Sequence, residues 1–410
     1  MAGFIGKLRS GAWLTRERAR RVALILLAVC AVGALFLIVT SDGRNDRFGR
    51  PLGTDFSNVY AAGSFVLEGE SAAPFDPAKQ YAREQAIFGQ ATPFYGWHYP
   101  PFFLGLAALL ATMPYWLALL MWQGVTLGLY LWSIKAIAGP RDSLWLLLAL
   151  AFPAVFVNLG QAHNGFLTVA LIGGALVMLT KRPIVAGILL GLLAYKPQFG
   201  LLIPLVLVAG SHWRAFAAAA ATVALLALAV TLAFGIDVWI AFLASTKFTQ
   251  AQVLEQGATG WFKIQSVFSW VRMWGGGLSL AYVLQGAVTL AVATALVWLW
   301  RSRVAFAFKA GALAIGCLLA TPYSLDYDLM LLAPAIAFLA ADGLTRGFAP
   351  YEKTVLAALW LVPLFARSVP EFTLIPLAVP LMLAAFALML RRAKIETGGA
   401  QAGGVFRPAP

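Results

Sequence analysis

Residues 22–40 read VALILLAVCAVGALFLIVT, and the polar segment that follows contains Gly53-Thr54-Asp55-Phe56-Ser57-Asn58-Val59-Tyr60. The apolar run is long enough to cross a bilayer, because about 20 helical residues span roughly 30 Å of hydrocarbon. Asp55 therefore lies at the start of the first large loop outside the membrane. An acid in that position suggests chemistry at the membrane surface.

The rest of the chain has the composition of a polytopic membrane protein. Of 410 residues, 61% are hydrophobic and 11% are charged, whereas soluble domains carry about 25% charged residues. The apolar runs predict one all-α bundle of about twelve spans: 22–40, 99–113, 115–136, 144–159, 164–180, 184–209, 214–234, 279–300, 304–320, 327–342, 354–366 and 371–390. The short pair 144–159 and 164–180 also fits two half-spans or a re-entrant element.

The basic residues predict that both chain ends are cytoplasmic, in the cell inner (plasma) membrane. With twelve spans, the cytoplasmic segments hold fifteen Lys and Arg residues. The short external segments hold five: Lys135, Arg141, Lys181, Arg182 and Arg367. Because the positive-inside rule accounts for the net charge of +13, we expect membrane lipids and no nucleic acid as partners.

The predicted organisation is a basic N-terminus at 1–21, a transmembrane domain at 22–392 and a disordered cytoplasmic tail at 393–410. A retained signal anchor fits the first run better than a cleaved signal peptide, because no small-x-small cleavage site precedes the loop. The polar residues are concentrated in external loops 41–98 and 235–278. These loops are expected to roof a cavity walled by the spans.

The first loop is predicted to contain two helices. Phe56, Val59, Tyr60, Gly63 and Leu67 recur at helical spacing, with Thr54 or Asp55 as the N-cap. Asp76-Pro77 is a strong helix start, and the second helix should run to about Phe88.

Asp55 suits a general base, since a carboxylate can take a proton from an acceptor hydroxyl. The structural alternative is a helix N-cap. Asp326 and Asp328 are predicted at the same membrane face, where they mark a site or simply complement a helix dipole. Lys196 precedes Pro197 inside a span, where it can pair with a lipid phosphate or an acid, or snorkel to the interface.

Several polar and aromatic residues remain open between function and structure. His98, with Tyr95, Trp97 and Tyr99, can stack on a sugar or form an interfacial aromatic belt. The loop residues Trp261, Lys263, Gln265 and Ser266 are weaker candidates for contact with a polar substrate. Gln161, His163 and Asn164 are predicted on the cytoplasmic side, in helix-to-helix hydrogen bonds.

Metal and cofactor motifs are missing from the sequence. Cys30 and Cys317 both lie in apolar runs, and the histidines at 98, 163 and 212 have unrelated spacings. No P-loop, nicotinamide fingerprint or nucleophile elbow occurs. We therefore expect no bound metal and no cofactor.

Five motifs occur in an order that resembles glycosyltransferase family 87, over about residues 53–330. They are Gly53-Thr54-Asp55-Phe56…Tyr60, Tyr99-Pro100-Pro101, Gly160-Gln161…Asn164, Gly191-Leu192…Lys196-Pro197 and Thr321-Pro322-Tyr323…Tyr327-Asp328. The resemblance implies a GT-C fold with juxtamembrane helices in the first external loop. It also implies a polyprenyl-phosphate sugar donor, mannose in the relatives, metal-free inversion of the anomeric centre, and Asp55 as the base.

The sequence and the resemblance together predict an enzyme that transfers a sugar to a lipid or glycan acceptor at the extracytoplasmic face. Relatives carry histidine near the segment that here reads Leu325-Asp326-Tyr327-Asp328, so Lys196 is the candidate for neutralising the donor phosphate. The predicted substrate-binding residues are Tyr60, His98, Tyr99, Lys196, Gln265, Asp326, Tyr327 and Asp328. The alternatives are a lipid or solute transporter and a lipid-linked oligosaccharide ligase or polymerase.

Overall fold

The computed structural model describes residues 2–139 and 143–401, and these residues form a bundle of helices. Its α-helices are Ala2–Ser10, Arg16–Val39, Thr54–Leu67, Pro77–Phe88, Leu104–Ala111, Tyr115–Ala138, Leu144–Leu150, Pro153–Gln161, Gly165–Met178, Pro183–Leu192, Pro197–Gly200, Ile203–Ala209, Trp213–Phe234, Asp237–Thr249, Val267–Met273, Leu278–Arg301, Phe306–Leu319, Leu332–Arg346, Glu352–Leu361, Ser368–Thr373 and Ala378–Gln401. The 3₁₀ turns are Ala73–Phe75, Pro101–Phe103, Leu193–Tyr195, Trp261–Lys263, Asp326–Leu331 and Val362–Leu364, and Gln250–Glu255 is a π-turn. In the described residues, β pairing is limited to two isolated bridges.

Five helices of the described chain are long and apolar enough to cross a bilayer, and each coincides with a predicted span. They are Arg16–Val39, Tyr115–Ala138, Trp213–Phe234, Leu278–Arg301 and Asp326–Arg346. Leu144–Leu150 and Pro153–Gln161 meet at 46° and make a sixth if they form one broken span. The predicted count of about twelve is not confirmed, because several other predicted spans are helices of only 10–17 residues.

The predicted span 99–113 does not run across the bundle. Its helix packs on Thr54–Leu67, where a methyl group at Gly63 would collide with the Ala107 carbonyl. At the end of this stretch the Tyr60 hydroxyl donates to the Met113 carbonyl at 2.9 Å, and Tyr115 then donates to the Leu52 carbonyl at 2.5 Å. The segment 99–113 therefore starts and ends beside the first loop. Its helix, Leu104–Ala111, is too short to cross a bilayer.

The predicted span 184–209 consists of two short helices joined at Lys196. Pro183–Leu192 runs parallel to Trp213–Phe234, because Gly187 faces Ala215 and Ala218 while Gly191 faces Ala219 and Thr222. The chain must therefore turn back between these two helices. It does so at Lys196, with φ −128° and ψ 71°, because the residue before a proline avoids helical geometry.

These two corrections change which segments share an end of the bundle. We call the end that carries Asp55 the Asp55 end. Lys135 lies in the last turn of the helix that starts beside the first loop, and Lys181 and Arg182 precede Pro183 at the end opposite Asp55. The prediction that Lys135, Lys181 and Arg182 share a membrane face with Asp55 is therefore wrong, whereas Arg141 lies outside the described residues.

The same corrections bring the loop after Gln161 to the Asp55 end. A side chain at Gly53 would meet Ala162 and Leu119, and Trp122 Nε1 donates to the Ala162 carbonyl at 3.0 Å. The prediction that Gln161, His163 and Asn164 lie on the other side is therefore wrong. The cause is the early miscount of spans.

Both predicted helices of the first loop are present, as Thr54–Leu67 and Pro77–Phe88. Asp76 caps the second helix, accepting from the backbone N–H groups of Ala78 at 2.9 Å and Lys79 at 3.3 Å. The first helix starts differently from the prediction, because Gly53 occupies the N-cap at φ +66° and no side chain caps it. Asp55 therefore does not cap this helix, which removes the structural alternative to a functional role.

The C-terminal helix continues further than predicted. Ala378–Gln401 is one helix, so residues 393–401 are helical where we predicted disorder. Residues 402–410 of the predicted tail lie outside the described residues.

Candidate active site

Asp55 is the second residue of the Thr54–Leu67 helix and lies in the first loop, outside the membrane-spanning helices. The residue is half-buried, and its neighbours Phe56 and Ser57 are buried. Burial raises the pKa of Asp55 to about 7, and the carboxylate of Asp326 raises it further. A carboxyl group with a pKa near neutrality has the proton affinity that a general base needs.

Three cations oppose this increase and therefore define the surroundings of Asp55. They are Arg367, Lys196 and Lys263, in descending order of their effect on the Asp55 pKa. We call Asp55, Gln161, Lys196, Lys263, Asp326, Asp328 and Arg367 the Asp55 cluster. Its members come from both external loops and from four separate breaks between apolar helices, which tertiary folding alone brings together.

A row of polar contacts joins Asp55 to Arg367. The Gln161 amide, oriented to satisfy its partners, donates to Asp55 Oδ2 at 3.2 Å and accepts from Arg367 Nη2 at 3.2 Å. Arg367 Nε donates to Asp326 Oδ2 at 2.8 Å, and Arg367 Nη2 lies 2.8 Å from the same oxygen as an ion pair. Along the row Asp55–Gln161–Arg367–Asp326, an amide and a cation thus connect the two acids.

Lys196 forms the second ion pair of the cluster, with Asp328. Lys196 Nζ lies 2.5 Å from Asp328 Oδ1, and the two side chains are only 5% and 2% exposed. Asp328 Oδ2 also accepts from the Leu325 backbone N–H at 3.0 Å. Among the predicted roles for Lys196, pairing with an acid is the one that the structure shows.

Aromatic side chains line one side of the cluster. The Tyr99 hydroxyl is 3.2 Å from His163 Nε2, and the His163 ring stacks on Tyr327 with ring centroids 3.6 Å apart. All three side chains are buried. The structure therefore joins two predicted site residues, Tyr99 and Tyr327, to a histidine that we predicted at the other end.

Three other predicted substrate-binding residues are engaged in protein contacts. Tyr60 packs edge-on against Tyr115 and donates to a carbonyl of the polypeptide. His98 Nδ1 is 2.8 Å from Thr249 Oγ1, and burial lowers the pKa of His98 to about 4, which keeps the ring neutral. Gln265 is fully buried and donates to the Ala366 carbonyl at 2.6 Å, directly before Arg367.

Of the second-loop candidates, Lys263 is the one that faces the cluster. It interacts electrostatically with Arg367, Asp326 and Asp55, and burial lowers its pKa. Trp261 donates to the Leu254 carbonyl, and Ser266 caps the helix Val267–Met273. Those two residues shape the loop.

Sequence reasoning missed the roles of Arg367, Gln161 and Glu84. Arg367 was counted only as one of five external basic residues. The available signal was that it is the one charged residue between the predicted spans 354–366 and 371–390. Glu84 is fully buried, and its side chain accepts from the Tyr95 backbone N–H at 3.0 Å. Burial raises the pKa of Glu84 to about 8, with a further contribution from Asp55.

The cluster is identified by its charges and not by the size of a cavity. A partly open pocket lies at the opposite end, among Phe308, Leu339 and Leu356, where its charged residues Glu352 and Arg392 pair with each other. In residues 2–139 and 143–401, no group of three His, Cys, Asp or Glu side chains is arranged to hold a metal ion. The cluster places the Asp55 carboxylate close to three cations, Arg367, Lys196 and Lys263.

A family model described as glycosyltransferase family 87 matches residues 97–322. No curated protein and no solved structure matches the chain. The family match covers more than half of the 410 residues. The chain therefore belongs to glycosyltransferase family 87 and is a membrane glycosyltransferase.

Proposed function

We propose that this enzyme transfers a sugar from a polyprenyl-phosphate carrier to an acceptor hydroxyl, with Asp55 as general base. The observation that supports this most strongly is the position of Asp55 among Arg367, Lys196 and Lys263. A base beside several cations suits a reaction in which a hydroxyl loses a proton while a phosphate leaves as an anion. No resident cofactor enters the proposal.

The proposed step is a single displacement. The acceptor oxygen attacks the anomeric carbon, its proton passes to the Asp55 carboxylate, and the bond from the anomeric carbon to the phosphate oxygen breaks. The electron pair of that bond stays on the phosphate, so the polyprenyl phosphate gains one negative charge as Asp55 loses one. Because no enzyme nucleophile intervenes, the anomeric configuration inverts.

The distribution of charge supports an extracytoplasmic site and cytoplasmic termini. The end opposite Asp55 carries Lys181 and Arg182, and it also carries Arg301, since Trp300 packs on His212 just before Trp213. Arg346 and Arg392 share one ion-pair network with Glu396 at this end. Positively charged segments stay on the cytoplasmic side, so the Asp55 end faces outward in the plasma membrane.

Within the proposal, Asp326 and Asp328 shape the pocket by holding Arg367 and Lys196. Tyr99 and Tyr327 provide an aromatic wall for the sugar or the first prenyl unit. Mannose as the sugar, and a lipid or glycan as the acceptor, are proposed from the family resemblance. Lys196 is a poor candidate for the donor phosphate, because its charge is already neutralised by Asp328.

The test compares Asp55→Asn with Asp76→Asn in membranes supplied with radiolabelled polyprenyl-phosphate mannose and native lipid extract. Asp55→Asn should reduce label transfer by about 10²–10⁴-fold, the usual contribution of a general base. Asp76→Asn should transfer label normally, because asparagine caps a helix as well as aspartate does. Normal transfer by Asp55→Asn would reject the assigned base. No transfer by the wild type would reject the proposed donor.

A further inference from the structure

The Arg367 guanidinium contacts Asp326 and Gln161, and part of it remains exposed. Nε donates to Asp326 Oδ2, and Nη2 lies 2.8 Å from that oxygen while it donates to the Gln161 side-chain oxygen. The side chain nevertheless remains 45% exposed. Guanidinium has five N–H donors in a planar fork, so donors remain for an anionic ligand after these contacts.

The backbone around Arg367 is fixed by Gln265. The Gln265 side chain donates to the Ala366 carbonyl at 2.6 Å, and its backbone N–H donates to the Ser324 carbonyl, also at 2.6 Å. One residue of the second loop thus ties the segment before Arg367 to the segment before Asp326. The guanidinium is pre-positioned, which lowers the entropic cost of binding a ligand.

We infer that Arg367 is the residue that binds the donor phosphate, and that Gln161 connects it to the base Asp55. This inference rests on the proposed function and identifies a residue that lies outside the family-matched segment 97–322. Arg367 would be a binding residue in contact with substrate, whereas Gln161 would be a positioning residue that acts through Asp55.

The charge balance of the reaction supports this assignment. The donor phosphate is a diester with one negative charge, and the leaving polyprenyl phosphate is a monoester with two. The proton lost by the acceptor neutralises Asp55, so one negative charge moves from Asp55 to the phosphate during the step. A cation linked to Asp55 through Gln161 and open to the phosphate stays close to that charge throughout.

Lys196 does not have this position, because Asp328 neutralises it in a buried pair. Lys263 can assist from the second loop, since it faces Asp55 and Asp326. Besides Lys196, Lys263, Arg367 and Asp326, the titratable groups around Asp55 are Glu84, Tyr95, Tyr99, Tyr323 and Tyr327. Of the three cations around Asp55, Arg367 has the strongest effect on the Asp55 pKa, and its side chain is also open to a ligand.

The experiment measures binding of tritiated farnesyl phosphate and of farnesol to the full-length protein in lipid nanodiscs. The variants are Arg367→Gln and the matched control Arg50→Gln. Arg50 is 48% exposed and pairs with the acid Asp46, so it resembles Arg367 in both respects. Arg367→Gln should weaken farnesyl phosphate binding at least about tenfold, as loss of a charged hydrogen bond does. Farnesol binding should be unchanged, and Arg50→Gln should behave as the wild type.

Arg367→Lys keeps a positive charge beside Asp326 but loses the planar set of guanidinium donors. This variant replaces Arg367→Gln in the experiment if Arg367→Gln does not fold. It should bind farnesyl phosphate with intermediate affinity. Wild-type affinity in both Arg367 variants would overturn the assignment of Arg367 while leaving the enzyme's proposed function intact. A wild type that does not prefer farnesyl phosphate over farnesol would overturn the donor class and this inference together.

Discussion

The two ion pairs of the Asp55 cluster differ in exposure although their acids lie two residues apart. Asp326 and Asp328 belong to the same short turn, Asp326–Leu331. The Lys196–Asp328 pair is closed, with both side chains at most 5% exposed, whereas Arg367 in the other pair is 45% exposed. In a closed pair each buried charge neutralises the other, whereas an open pair leaves a cation for a ligand.

The closed pair is buried beside aromatic side chains. Lys196 Nζ also lies 5.5 Å from the Tyr327 ring centroid and 5.4 Å from the Phe199 ring centroid. Because removal of one partner leaves a buried charge unpaired, such pairs are costly to break. The open pair is at the end of a loop, and Gln161 shares its cation with Asp55.

The largest effect on stability is expected from breaking the closed pair. Lys196→Met should destabilise the protein by about 3–5 kcal/mol, because Asp328 would remain buried without a partner. The measurement is the thermal or denaturant midpoint in detergent. The double variant Lys196→Met with Asp328→Leu should recover part of the loss, since it removes both buried charges but also the acceptor of the Leu325 N–H.

If Lys196→Met instead retains its midpoint but loses donor binding, the closed pair is part of the donor site. That result would remove the distinction between the two pairs. Arg50→Gln provides the control for a partly exposed pair, whose loss is worth about 0.2–1 kcal/mol.

The open pair should control the pH dependence of transfer. Asp55 must be ionised to accept a proton, so activity should rise with pH through its pKa of about 7. Arg367 lowers this pKa, so Arg367→Gln should move the rising limb of kcat/KM to higher pH, with an increased KM for the donor. A limb that stays in place would mean that Arg367 does not act on Asp55.

Asp326→Asn should produce a shift of similar or greater size in the opposite direction, because Asp326 affects the Asp55 pKa more strongly than Arg367 does. The Asp326 carboxylate raises the Asp55 pKa, so its neutral replacement should move the rising limb to lower pH. A pH profile measured alongside Arg367→Gln makes this a paired test with opposite signs. Equal shifts in both variants would indicate a general disturbance of the site and no electrostatic link.

The smallest effect is expected at the opposite end of the bundle. Arg346 is 38% exposed, and its partners Asp342 and Glu396 both keep Arg392 as a second cation, so Arg346→Gln should cost about 0–1 kcal/mol. Transfer rate and pH profile should match the wild type. A loss of transfer with an unchanged unfolding midpoint would show that charges at both ends of the bundle contribute to the reaction.

The sequence predicted more of the fold than of the site. The five long helices, both first-loop helices and the break at Lys196 follow from local patterns, namely apolar runs, an Asp-Pro start and a pre-proline residue. The family was also predicted from motif order and is confirmed. The span count was less accurate, because an apolar helix packed on a surface helix has the same composition as one that crosses the membrane.

Gln161 shows why the site was harder to predict. Its polarity was visible in the sequence, but its side of the membrane depended on whether 99–113 crossed. Once the Met113 and Tyr115 contacts show that it does not, Gln161 moves beside Asp55. Gln265 shows the reverse case, since a polar loop residue predicted to bind substrate instead holds the backbone next to Arg367.

By itself, the sequence determined a helical membrane protein of this family with an acid in its first loop, because hydrophobicity, helix starts and motif order are properties of contiguous residues. Only the tertiary structure decided which cation faces Asp55 and which is already neutralised. Lys196 and Arg367 are both basic residues near chain breaks, and no local pattern distinguishes them. Their pairing depends on which acid of the turn Asp326–Leu331 each one meets, and on whether neighbouring helices exclude water from that pair.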